Sequence, residues 1–268
     1  MSKLKISIVT VVYNDVKHIE RSILNTLAQS YNNIEYIIVD GASTDGTLDI
    51  IKKYTDTITW KSEPDKGIYD AMTKGAEMAT GDWIMFHNCG DYFYRPDAIA
   101  KVFSRPIDEE VGIVTCINRA FSGDHYKDLY PRYPQLSYYD ICPFFHQSTF
   151  VRADLQKKYG FDQRFRNSAD YDLFVRLLRD NVKYEFVSEI LTLSDCSCGA
   201  TAEHYDISLK DNIKILYKND APLSKILKQK YRFIKYNLNK MRQGEKEKED
   251  GRFSDWEYCK MSEILKDV

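Results

Sequence analysis

The chain has 268 residues, 43% of them hydrophobic and 29% charged, with a formal net charge of −2 at pH 7. That length suits one large α/β domain or two modest ones, and the near-neutral charge implies no nucleic-acid partner. No apolar run approaches the roughly 20 residues needed to span a bilayer.

The first residues, MSKLKISIVTVVYND, do not read as a signal peptide, because the apolar run is short, broken by polar residues and lacks a small-residue cleavage site. The six cysteines form no C-x-x-C framework, which points to reduced thiols and a cytoplasmic chain. Twenty tyrosines supply a surplus of amphipathic rings that suits a polar ligand cleft.

Lys5 to Tyr13 is β-rich without long alternation, which predicts a strand buried on both faces, as in a parallel sheet. Ile19, Ile23 and Leu27 give Val16 to Ala28 helical spacing. Ile34 to Val39 is a second buried strand, followed by the polar loop Asp40 to Gly46. Asp45 is placed to cap a helix over Thr47 to Tyr54. Ile58 to Ser62 is a shorter strand. Ile68 to Ala79 is a helix, with Gly81 expected to end it as a C-terminal glycine. Trp83 to Phe86 is a fourth strand, and it feeds directly into His87-Asn88-Cys89-Gly90-Asp91.

This alternation predicts βαβ units with right-handed crossovers. Three polar loops, Tyr13 to Asp15, Asp40 to Gly46 and Asn88 to Asp91, then share one rim at the strand ends, where open α/β sheets bind ligands. Alone, the stretch around Asp91 reads as an ordinary Gly-Asp turn. On a shared rim its carboxylate becomes a candidate for a divalent metal held against a phosphorylated substrate.

Beyond Gly112 the pattern changes. Gly112 to Asn118 reads as a strand, and aromatic, Pro-punctuated segments run through to Phe144-Phe145-His146-Gln147. Leu155 to Tyr159 is a short helix. Ala169 to Arg179 is an amphipathic helix with Leu173, Phe174, Leu177 and Leu178 as its apolar set. Tyr184 to Val187 and Ile190 to Leu193 read as two short strands. After Ala202 the chain reads as helical to its end, with Gly244 to Gly251 (GEKEKEDG) an exposed linker.

SIVTVVYND and IIVDGASTDGT together resemble the family 2 glycosyltransferases of the GT-A fold. The resemblance spans Lys5 to Leu193 and lies in an ordered series of motifs rather than any single one. It implies a Rossmann-like, mostly parallel sheet flanked by helices, with a C-terminal helical extension. The implied division is 1–115 as the nucleotide-sugar half, 116–202 as the acceptor half of the same domain, and 203–268 as the extension.

By that resemblance Thr10, Val12, Tyr13 and Asn14 border the nucleotide and Asp40 reads uracil, whose imide N–H suits a carboxylate acceptor. Ser43 and Asp45 lie in the matching turn. SEPDKGIYDAMTKG resembles a recurrent signature, in which Asp65 and Lys66 line the donor site and Lys66 serves as a point charge for phosphate. Thr73 departs from the usual Asn, so no role is carried to it. Most relatives have a D-x-D-type cluster after the fourth strand. Here Asn88 and Gly90 stand where acids often stand, and Asp91 alone is left to bind Mn²⁺ or Mg²⁺ with diphosphate oxygens. Cys89 is too soft a ligand for either ion and reads as a small buried residue.

RNSADYDLFVRLLR resembles the family's E-D motif, with Ala169-Asp170 in place of Glu-Asp, which makes Asp170 the general base of an inverting transfer. Asp172 points elsewhere on the helix. His146 is expected at phosphate or the acceptor sugar, with a purely structural histidine as the alternative. Cys196 to Ala202 stands where relatives carry a Gly-Gly-Ser-type loop that closes over the diphosphate.

The implied setting is bacterial surface polysaccharide synthesis, with a UDP-sugar donor and a glycan or lipid-linked acceptor. Residues 221–243 hold seven Lys or Arg and no acid, with Leu223, Leu227, Tyr231, Ile234, Leu238 and Met241 at helical spacing. Such a helix fits an anionic membrane, its own domain or a second subunit in a homodimer. The membrane reading makes the chain peripheral on the inner face. Two rivals frame the reading. A nucleotidyltransferase would need a Gly-rich basic first loop, which Tyr13-Asn14-Asp15 is not. A non-catalytic nucleotide-sugar- or lipid-binding module would bind UDP without turnover.

Overall fold

The computed structural model describes residues 4–195, 205–243 and 257–258. Cys196 to Ala202 and the Gly244 to Gly251 segment lie outside them.

The first half is a parallel α/β layer. Strands β1 (Ile6–Val12), β2 (Ile34–Asp40), β3 (Thr59–Ser62) and β4 (Trp83–Phe86) pair in the order β3-β2-β1-β4. All seven residues of β1 are buried, because helices cover both faces. Ile6, Ile8 and Val12 join the core on one face, under α1 (Ile19–Leu27) and α2 (Thr47–Lys52). Val9 and Val11 point the other way, into the core formed with α3 (Ile68–Met78) and α6 (Ala169–Arg179). This two-sided burial is why the strand shows no hydrophobic alternation.

The second half extends the sheet with mixed pairing. Strand β8 (Thr149–Arg152) runs antiparallel to both β4 and β6 (Val111–Ser122). The hairpin partner of β6 is β7 (His125–Leu129), and β10 (Glu257–Tyr258) closes that edge. On the other side of β6, β9 (Lys183–Asp195) runs parallel to it and also pairs with the two-residue β5 (Tyr92–Phe93). Short helices α4 (Ala98–Phe103) and α5 (Ala153–Tyr159) complete the domain. Helices α7 (Tyr205–Lys218) and α8 (Leu223–Gln243) follow.

Four expectations change. Tyr184 to Val187 and Ile190 to Leu193 are one strand, β9, whose register against β6 shifts at a bulge. The chain is not helical to its end, since Glu257–Tyr258 forms an edge strand. Gly81 does not cap α3, which ends at Ala79 in an extended conformation. Its missing side chain instead admits β1, because a Cβ there would lie 2.6 Å from Ser7 Oγ and 2.7 Å from the Lys5 carbonyl. Finally, Leu27 is 40% exposed, and the inward row of α1 is largely polar.

That polar row positions the loop after β4. Ser22 Oγ accepts the Gly90 N–H at 3.0 Å. Asn25 takes the Phe93 N–H at 2.7 Å and donates to the Phe93 carbonyl at 3.2 Å. Gln29 bonds the Arg95 carbonyl and the Ile99 N–H. Helix α1 thus holds the backbone on both sides of Asp91.

Candidate active site

The two nucleotide-side loops are tied to each other. The Asn14 N–H donates to Ser43 Oγ at 2.8 Å, and the Thr44 N–H donates to Asn14 Oδ1 at 2.8 Å. Asp45 accepts the Val16 N–H on one oxygen and the Thr47 N–H and hydroxyl on the other. It therefore closes the entry to α2 from one residue outside the N-cap position, which Gly46 holds. The Thr47 hydroxyl pulls its carboxyl below the usual range, helped by those backbone bonds.

Other expected donor residues sit deeper. Thr10 is fully buried, donating to the His87 carbonyl at 2.6 Å beside the Tyr36 hydroxyl. Its side chain joins β1 to the residue after β4. Val12 is buried. Asp40 is fully buried and accepts from Ser62 Oγ at 2.6 Å and the Ser43 N–H at 3.1 Å. Tyr13 is 65% exposed. Asp65 binds the Gly67 N–H, and its other oxygen lies against Gly41, where a Cβ would come within 2.5 Å of it and 3.2 Å of the Tyr13 ring. Gly41 is thus the floor on which Tyr13 and Asp65 rest. Lys66 is exposed, with no ion pair among the described residues.

The opposite side of the rim carries a continuous polar line. Asn88 Nδ2 lies 3.3 Å from His146 Nε2, and His146 Nδ1 lies 3.1 Å from Asp170 Oδ2. Tyr69 Oη donates to Asp170 Oδ1 at 2.8 Å. The loop after β4, the turn at His146–Ser148, the head of α6 and the head of α3 each supply one member. Burial opposes both charges, yet the His146 bond holds Asp170 below the ordinary carboxylate range, aided by Tyr69. The reciprocal bond and charge of Asp170, with Asp91 further off, outweigh burial and raise His146. The neutral tautomer that fits accepts from Asn88 and donates to Asp170.

Asp91 is 8% exposed, and burial pushes its carboxyl up to about 7, against the pull of His146. In the same turn Asn88 Oδ1 is buried without a hydrogen-bond partner. Behind them His87 is fully buried and stacked on Phe93 at 4.2 Å, and burial holds it neutral by lowering it to about 3. Cys89 is driven upward by burial, so it offers no thiolate. Among the described residues no group of three or more His, Cys, Asp or Glu could hold a metal. One buried carboxylate and one orphan amide oxygen are hard donors that suit Mg²⁺ or Mn²⁺ only when a ligand supplies the remaining oxygens.

Asp172 faces away from this line. It is fully buried against Arg176 at 2.8 Å, Lys218 at 2.7 Å and Asn219, where it fastens α6 to α7. Four contributors carry no expectation from the amino-acid pattern: Tyr69, inside a recognised motif, and Ser22, Asn25 and Gln29, on or just past α1.

Comparison with known proteins bears on the family and the fold. The family model described as Glycosyl transferase family 2 matches residues 7–182. An uncharacterized glycosyltransferase of Mycobacterium tuberculosis is 30% identical over 181 residues, covering 64% of this chain and 68% of that protein. A PGL/p-HBAD biosynthesis glycosyltransferase of Mycobacterium bovis is 32% identical over 162 residues, and the match spans 55% of this chain and 59% of the relative. Among solved structures, the mannosyltransferase PcManGT from Pyrobaculum calidifontis, in complex with GDP-Man and Mn²⁺, superposes with a TM-score of 0.64 at 17% identity, covering 87% of this chain and 70% of that one. S. aureus TarS 1–349 in complex with UDP gives 0.60 at 16% identity, over 86% and 71%. At such identities the structural likeness establishes the fold.

Proposed function

This chain belongs to glycosyl transferase family 2, with the GT-A fold, and we propose that it is an inverting, metal-dependent transferase. In this reading it moves a sugar from a UDP-linked donor to a hydroxyl of a glycan or lipid-linked acceptor in surface polysaccharide synthesis. The observation that carries the reading is the line Asn88, His146, Asp170, Tyr69. It joins the turn of Asp91 to the carboxylate at the head of α6, as a leaving-group site and a base flanking one reacting carbon require.

Asp170 is the base. Tyr69 and His146 each hold one of its oxygens, which fixes its orientation and leaves lone pairs for an acceptor hydroxyl. That hydroxyl oxygen bonds to the anomeric carbon while the bond from this carbon to the diphosphate oxygen breaks. The proton passes to Asp170, and attack opposite the departing diphosphate inverts the configuration. His146 keeps Asp170 ionised beforehand. Asp91 and Asn88 Oδ1 would hold Mn²⁺ or Mg²⁺ together with diphosphate oxygens. When bound, such an ion supplies charge neutralisation at the leaving group.

On the donor side Asp40 would accept the uracil N–H beside the exposed Tyr13 ring, and Asp65 and Lys66 would line the ribose or pyrophosphate, with Lys66 offering an unpaired ammonium to phosphate. Asn14, Ser43 and Asp45 organise the loop around them. The likeness to structures holding UDP, or GDP-Man with Mn²⁺, supports a nucleotide-sugar donor and the ion. The relative named for PGL/p-HBAD biosynthesis supports a biosynthetic role. We assign 1–115 to the donor, 116–202 to the acceptor, and the reaction to the cytoplasmic side of a membrane. No helix among the described residues is long and apolar enough to cross one.

The test is UDP release from a panel of UDP-sugars with Mn²⁺, with and without chelator, after a thermal-shift screen to find the stabilising donor. Release that needs the metal and disappears in Asp170→Asn, with UDP binding retained, supports the reading. UDP binding with no release from any sugar would assign the chain to the non-catalytic alternative.

A further inference from the structure

Helix α8 docks on the domain through its polar side. Lys225 and Lys228 reach the two carboxylate oxygens of buried Asp140 at 2.5 and 2.9 Å. Gln229 and Arg232 donate to the Asp140 carbonyl at 2.8 and 2.9 Å. Ile226 packs inward with Leu216 and Ala221. The opposite face is left to solvent: Leu223 is 65% exposed, Leu227 54%, Tyr231 65%, Ile234 55% and Leu238 49%. Steps of four, four, three and four residues place these five on one stripe. On α7, Tyr217 is 51% exposed, with Lys230 Nζ 5.1 Å from its ring.

A contiguous apolar row of this kind marks an interaction surface. Three occupants fit the amino-acid pattern, and among the described residues the docking of the polar side removes the first, the chain's own domain. Charge separates the other two. Lys230 and Lys235 lie at the edges of the stripe, both exposed and without a carboxylate partner among the described residues. Residues 221–243 contain no acid. A two-fold dimer through the stripe would bring the same lysine-edged patch against itself. An anionic lipid surface neutralises those charges while burying the apolar side chains.

We propose that α8 lies in the headgroup layer of an anionic bilayer, with the Leu223 to Leu238 stripe inserted and Lys230 and Lys235 at the phosphates. The proposed transfer supplies only a reason for this, a lipid-linked acceptor. The exposed stripe of α8 and the lysines at its edges stand independently of it.

The test is flotation of the full chain with vesicles of phosphatidylcholine alone or mixed with phosphatidylglycerol. Wild type is expected to float with the mixed vesicles only, less so as salt rises. Leu227→Asp combined with Ile234→Asp abolishes flotation, and Lys230→Gln combined with Lys235→Gln weakens it about fivefold per lysine. These are surface positions, and an unchanged ligand-free thermal melt checks folding. Equal flotation of wild type and the Asp pair overturns the proposal. A solution dimer that the Asp pair dissociates, with no vesicle binding by wild type, overturns it in favour of a second copy. Flotation and the UDP response are read separately, so the membrane and transferase readings can each fail alone.

Discussion

His146 Nδ1 lies 3.1 Å from Asp170 Oδ2, and each group shifts the other's titration toward the charged pair. The signs differ. Asp170 is depressed, so its contribution to stability is present above about pH 4 and lost as pH falls further. His146 is raised, so its contribution is complete below about pH 6.5 and lost as pH rises through its folded value. Stabilisation by the pair peaks between those limits. His146→Gln is therefore expected to cost most near pH 5.5, with the gap to wild type narrowing by pH 9, as read by urea unfolding at both.

Asp170 and Asp172 sit two residues apart with opposite expected outcomes. Asp170→Asn should lower turnover roughly a hundred- to ten-thousand-fold, and its only stability cost should be the pair contribution that His146→Gln also loses. Asp172→Ala removes the buried carboxylate shared by Arg176, Lys218 and Asn219. Arg176 keeps the Tyr159 and Gly160 carbonyls and Lys218 keeps Asp162, so the cost should be at the low end for a broken buried pair, about 3 kcal/mol. Kinetics and thermal melts on the two proteins check the division of roles. Full transfer by Asp170→Asn would remove the base assignment.

The Asp91 carboxyl, raised to about 7, is a penalty above that pH and none below the ordinary carboxylate value near 4. Asp91→Asn should thus stabilise the ligand-free chain at pH 8 by up to roughly 4 kcal/mol, and hardly at pH 4. The same change should erase the extra stabilisation that Mn²⁺ adds in the presence of UDP. A variant that still responds to Mn²⁺ would move the metal elsewhere.

Asn25→Ala removes both bonds to Phe93 and leaves its backbone groups unpaired, at about 1–3 kcal/mol. Because α1 holds the chain on both sides of Asp91, the Mn²⁺ concentration needed for half-maximal thermal shift with UDP should also rise. A loss of stability with unchanged Mn²⁺ response would make the clamp merely structural.

Gly41→Ala would push its Cβ into Asp65 Oδ2 and the Tyr13 ring. UDP affinity should fall on the order of tenfold, while unfolding changes little because both displaced groups sit at the surface. Titration calorimetry with UDP checks it.

Much of the first half was legible locally. Strands β1, β2 and β4 are runs of β-branched and aromatic residues bounded by polar loops, and α6 carries its apolar set at helical spacing, so short-range pattern is enough. Strands β5, β7 and β8 were not legible. They are short or half-exposed, and they exist because a distant strand offers its edge, which no local period reports. The break in β9 misled for a related reason: a bulge interrupts the alternation but not the ladder.

The amino-acid sequence by itself determined the chemical inventory of this protein and its order: a carboxylate after β4, another at the head of a helix, a loop of Asp and Ser after β2, and a basic amphipathic segment near the end. Tertiary structure alone decided which of these meet. His146 and Asp170 are 24 residues apart, and Tyr69 lies 101 residues from Asp170. Their contacts depend on how α3, α6 and the end of β4 pack around one sheet. The same packing buries Asp40 at the end of β2, turns Asp172 into a fastener and commits Lys225 and Lys228 of α8 to Asp140. Spacing along the chain specifies a face, but only the partner packed against that face decides whether a charge becomes a base, a brace or a free surface.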